Sequence, residues 1–116
     1  MHQLIKSSLL RHHILPNRKG FYYLFEVIEY LLYNDIRSSK CKMAEVYEIV
    51  AHKHNISKNS VEKSIGLLIE RSFNYIEIAE KYGEIVSRDR GKLTNKKFVF
   101  ALIDDVKHRM AERRIL

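Results

Sequence analysis

The sequence has one proline and four glycines, too few turn formers for an all-β fold with many tight turns. A single cysteine, Cys41, excludes an internal disulfide and any zinc site built on several cysteines. It suits a reducing compartment. The most apolar stretch, FYYLFEVIEYLLY at 21–33, is too short to span a bilayer and carries Glu26 and Glu29. The N-terminal MHQLIKSSLLRHH lacks the long apolar run of a signal peptide. There is no glycine-rich phosphate loop and no nucleophile beside a credible base. His52 and His54, at i and i+2, do not share a helix face, and His12-His13 offers no better ligand geometry. Asp104 and Asp105 diverge by about 100° on a helix, as a solvated face would have them. These absences predict a cytoplasmic protein that is not an enzyme, has no metal or other cofactor, and does not associate with membranes.

What is present is a sizeable core and a positive charge. Of 116 residues, 46% are hydrophobic, which suits one domain over residues 1–116. Lysine and arginine exceed aspartate and glutamate by seven, which favours a polyanionic partner, nucleic acid ahead of an anionic membrane.

Apolar spacing predicts an all-α fold, a compact bundle of five or six helices. A first helix covers 2–13, with Leu4, Ile5, Leu9 and Leu10 on one side. Pro16 and Gly20 bracket a turn. A second helix at 21–34 is apolar nearly all round, so it should be central, with Tyr22, Tyr23, Tyr30 and Tyr33 in the core. RSSKCK forms a basic loop or short irregular turn, and 43–54 a third helix. Residues 55–57 make a tight turn into a fourth helix, with Ser57 or Asn59 as its cap. A short helix at 75–83 precedes a polar, basic loop at 84–94, with 84–87 briefly extended. Thr94 or Asn95 then caps a last helix whose stripe is Phe98, Val99, Leu102, Ile103, Val106 and Met110.

The third and fourth helices carry a helix-turn-helix pattern. Ala51 is small enough for a close crossing, Ile56 plugs the turn, and Val61 and Ile65 anchor the second helix on the first. On that second helix, about 58–71, Lys63 points almost directly away from the anchors, with Asn59 and Gly66 on the same side and Ser60 at its edge. A helix of this kind enters the DNA major groove by its N-terminal half. Ser57, Lys58, Asn59, Ser60 and Lys63 are short or cationic, as contact with phosphates and base edges requires. The helix N-terminus itself favours an anion.

The charge lies elsewhere. Residues 46–70 hold three basic and three acidic residues, so the helix-turn-helix is neutral. Phosphate contacts should therefore come largely from flanking segments, above all SRDRGKLTNKK, where Arg88, Arg90, Lys92, Lys96 and Lys97 suit a loop beside the recognition helix.

RKGFYYLFEVIEYLLYNDI, VYEIVAHKHNISKNSVEKSI and YGEIVS…KLTNKKFVFALIDDV together resemble the C-terminal effector domain of the sporulation response regulator, stage zero sporulation protein A. The resemblance runs from about Leu10 to Arg109. Its most specific elements are Lys19-Gly20-Phe21, Tyr33-Asn34-Asp35 and Thr94-Asn95. It implies a six-helix bundle that binds short boxes in double-stranded DNA as a transcription regulator, with a second copy on tandem sites contacted through the C-terminal helix. No receiver domain is present in 1–116. The family's reading positions run Glu-Arg-x-x-Arg; here Glu62 matches, Lys63 replaces the first arginine and Gly66 stands at the second. Lysine keeps a charge without the bidentate fork that reads guanine, and glycine offers no side chain. These departures imply a different box or weaker binding. They also leave an alternative: a diverged protein-interaction module of the same fold that has lost specific DNA reading.

Overall fold

In the computed structural model, described at residues 2–12, 14, 16, 18–73 and 94–115, the fold is all-helical, with no strand among those residues. Helix α1 is His2–Arg11, α2 Lys19–Tyr33, α3 Met43–His54, α4 Lys58–Phe73 and α5 Asn95–Ile115, with a 3-10 turn at Ser38–Lys40. The predicted short helix at 75–83 and extended stretch at 84–87 lie outside the described residues.

Helix α2 is central and packs against each of the other four α-helices. Phe21, Leu24, Val27, Ile28 and Leu31 are all buried along it. It meets α4 through Gly20, where an added Cβ would lie 2.5 Å from Leu68 Cδ1 and 2.7 Å from the Ser64 carbonyl oxygen. No larger residue fits that crossing, which gives a packing reason for the Lys-Gly-aromatic start of the helix. At its other end Asp35 adopts φ 50°. The Ile36 N–H then reaches the Leu31 carbonyl (3.0 Å) and Asp35 N–H the Leu32 carbonyl (3.2 Å). This pairing satisfies two orphan carbonyls and ends the helix sharply.

The tyrosine expectation needs correction. Tyr23 is buried and Tyr30 partly so, but Tyr22 is 56% and Tyr33 80% exposed. Both lie on the rim of α2, Tyr22 with its ring edge-on to buried Phe21 at 5.5 Å. Leu10 is likewise exposed, one position off the Leu4–Ile5–Leu9 face that α1 buries.

The aspartate pair also divides. Asp104 is exposed, whereas Asp105 turns inward between α1 and α5. It accepts hydrogen bonds from Ser8 Oγ (2.8 Å) and Arg11 Nη2 (2.5 Å), and Arg109 Nε lies 3.6 Å away. Beside it, buried His12 places Nδ1 2.6 Å from the Ser8 carbonyl and its ring edge-on to Phe98. Arg11 is exposed enough to turn to water, so the loss in Asp105→Ala falls on the buried Ser8 hydroxyl and on Arg109 Nε, which is itself buried. A cost of about 1–2 kcal/mol is expected, read as a lowered urea midpoint with unchanged slope.

Helix α5 buries Phe98, Val99, Leu102, Ile103 and Val106 in this chain's own core, with Met110 packed partly against it. The apolar stripe of the last helix is therefore occupied internally and is not the surface for a second copy. The surface that α5 leaves open lies on its last turns, where Lys107, His108, Ala111, Glu112 and Arg113 are exposed.

Candidate nucleic-acid interface

Helix α3 stops because Asn55 takes a left-handed conformation, φ 56° and ψ 45°, which asparagine tolerates better than most residues. The Ile56 N–H then bonds the Ala51 carbonyl at 3.0 Å and the Asn55 N–H the His52 carbonyl at 3.3 Å. Ile56 is drawn partly into the core. Ser57 caps α4: its hydroxyl accepts the Ser60 N–H at 3.1 Å and lies 2.9 Å from the Ser60 hydroxyl. Such a cap contributes about 1 kcal/mol. Asn59, the other candidate cap, lies inside the helix.

Ala51, Val61 and Ile65 are buried together, so α3 and α4 are locked at the angle the turn sets. With those anchors inward, Ser57, Lys58, Asn59, Ser60, Glu62 and Lys63 are all exposed. Six candidate residues thus share the turn and the first half of α4.

Lys96 joins this surface from another element. Together with Thr94 and Asn95 it lines a hollow of about 750 Å³ that also takes in Tyr47, Glu62, Lys63, Gly66, Leu67 and Glu70. Lys96 is held there by Nζ donating to the Cys41 carbonyl at 3.0 Å, so it serves partly as a structural tie. Lys97 is half-buried, its N–H donating to the Thr94 cap at 3.3 Å. Arg88, Arg90 and Lys92 lie outside the described residues.

Two features escaped the sequence. Gly66 is half-buried, not fully outward, because its helix face looks toward the start of α5. A Cβ there would stand 3.5 Å from Asn95 Oδ1, in ordinary contact. Asn95 itself, expected only as a possible cap, sends Nδ2 3.1 Å to the Glu62 backbone carbonyl and lines the same hollow as Tyr47. The adjacent Thr-Asn pair was the available signal: threonine caps, which releases asparagine for a bond between helices.

Burial raises the Tyr47 phenol above its ordinary value, the Asn95 hydrogen bond opposes it, and the Glu62 and Cys41 charges add to it. Burial likewise raises the Cys41 thiol, with Lys96 opposing and Glu45 adding. Both acids are held neutral in the folded chain. The linked stability is complete below the ordinary values, 9.0 for the thiol and 10.0 for the phenol, and falls as pH rises past them. Urea midpoints should decline above pH 9, less steeply in Tyr47→Phe and Cys41→Ser.

His54 and Lys53, at the end of α3, pair with Glu26 at 2.5 and 3.4 Å. Among the described residues no group of three histidine, cysteine or acidic side chains could hold a metal ion, and no helix is long and apolar enough to cross a membrane. No solved structure matches the chain significantly. Residues 5–106 match the family described as sporulation initiation factor Spo0A C terminal. With that match spanning nearly the whole sequence and an all-helical fold that fits a helix-turn-helix, the chain belongs to the Spo0A C-terminal family of DNA-binding sporulation-regulator domains.

Proposed function

We propose that this domain reads double-stranded DNA sequence-specifically, with the N-terminal half of α4 in the major groove. The observation that carries the reading is the division of that half-helix. Val61 and Ile65 are wholly buried, while Ser57, Lys58, Asn59, Ser60, Glu62 and Lys63 face solvent together. Phosphates would be held by the helix N-terminus, the serine hydroxyls, Lys58, Lys96, Lys97 and the basic residues Arg88, Arg90 and Lys92. Lys63 and Glu62 would meet base edges, lysine at guanine acceptors and glutamate at a cytosine amino group. A second copy on a tandem site would meet the first through the open last turns of α5.

The test is an equilibrium titration with duplex carrying the box that the chain itself selects from a random-sequence pool and with a scrambled duplex, over several salt concentrations. About six phosphate contacts would give a log–log slope of about −5. Preference for the box at every salt concentration is expected. Binding that is absent, or equal on both duplexes, would leave the interaction-module reading in its place.

A further inference from the structure

We infer that Asn95 is a positioning residue for base reading, one that fixes the recognition surface of α4 against α5. The inference rests on α4 being the recognition helix.

Asn95 is the first residue of α5. The preceding Thr94 caps the helix through the Lys97 N–H at 3.3 Å, so the Asn95 side chain is not used as a cap. Its Nδ2 instead lies 3.1 Å from the Glu62 carbonyl oxygen. In a regular helix that carbonyl already takes the Gly66 N–H, so it becomes a shared acceptor. The amide shares its hollow with Tyr47, a residue of α3 that is only 4% exposed. One side chain therefore ties the start of α5 to the backbone of α4.

The tie falls at the reading face. Glu62 and its neighbour Lys63 are, with Lys58, the long charged side chains on the exposed N-terminal half of α4, and the tethered carbonyl belongs to Glu62. Gly66 leaves the path open, with its missing Cβ 3.5 and 3.8 Å from the Asn95 amide atoms. Next to Asn95, Lys96 Nζ bonds the Cys41 carbonyl at 3.0 Å. The start of α5 thus grips both α4 and the segment leading into α3. Base discrimination requires side chains held to within about half an ångström. Phosphate contacts, made by mobile cations, are far less demanding.

The experiment uses Asn95→Ala and Asn95→Asp in the full chain. Aspartate keeps the shape and favours a helix N-terminus, but without its proton it cannot donate to the Glu62 carbonyl. It separates positioning from folding. Both variants are expected to melt cooperatively and to lose about tenfold in preference for the box duplex. In Asn95→Ala, affinity for the scrambled duplex and the salt slope should stay unchanged; in Asn95→Asp the added carboxylate beside Lys96 weakens both duplexes on top of the same loss of preference. The Gly66 amide NMR signal should move in both, since its acceptor loses a second donor.

Retention of the box-to-scrambled ratio in both variants would overturn the inference, as would an equal loss on both duplexes or unfolding of both. If Lys63→Ala loses discrimination while the Asn95 variants keep it, the positioning role alone is overturned. If the unaltered chain does not discriminate, the DNA reading fails first, and the inference with it.

Discussion

Gly20→Ala is expected to destabilise the fold by about 2 kcal/mol, within the range of overpacked cores. Glycine inside a helix normally costs about 0.5–1 kcal/mol relative to alanine, so a harmless site would show a gain. This site is not harmless. The new methyl would stand 2.7 Å from the Ser64 carbonyl oxygen and 2.5 Å from Leu68 Cδ1. Leu68 can rotate, but the carbonyl is helix backbone. Helices α2 and α4 must therefore separate, and the contact being opened lies beneath the fully buried Ile65. A urea titration followed by circular dichroism measures the effect. Because α4 is the element displaced, specific DNA affinity should fall with stability. A variant as stable as the parent chain would mean that α2 and α4 do not meet at this distance.

The second large effect concerns the groove. Lys63→Ala should relax preference at one base pair by about 1–3 kcal/mol, the contribution of a specific base-edge contact. Phosphate-facing changes differ in kind: Arg90→Ala or Lys92→Ala should weaken all duplexes alike and flatten the salt slope by about one unit. Gly66→Arg should act in the opposite direction. Its Cβ fits in ordinary contact with Asn95, helix propensity improves by up to about 1 kcal/mol, and the guanidinium supplies a fork suited to guanine. Affinity for the family's box should rise. Equilibrium titrations of these variants on box and scrambled duplexes separate the outcomes. Unchanged binding in both Lys63→Ala and Gly66→Arg would remove α4 from the groove.

The helices were legible in the sequence because their signals are local. The bounds expected for α3 agree with Met43–His54, since a left-handed asparagine and a serine cap punctuate the chain on either side of Ile56. The anchors Ala51, Val61 and Ile65 followed from 3.6-residue spacing and are buried. What could not be read depends on partners distant in sequence. Asp105 looked solvated until α1, 94 residues earlier in the chain, brought Arg11 to it. Tyr22 and Tyr33 looked internal because periodicity on a nearly all-apolar helix does not mark its rim. Gly66 looked outward because the start of α5 was not yet beside it. The exposed cluster from Ser57 to Lys63 was legible for the same reason as the core: it is the complement of the anchors on one helix. Asn95 was not, because its partner lies on α4, 33 residues earlier in the chain.

The most direct test is an NMR titration of the isotope-labelled chain with box and scrambled duplexes. The expected result is that the largest amide shifts fall within residues 57–66 and differ between the two duplexes, whereas shifts of basic residues elsewhere are alike in both. Shifts that spare 57–66, or that are identical for the two duplexes across that segment, would contradict a recognition helix in the groove.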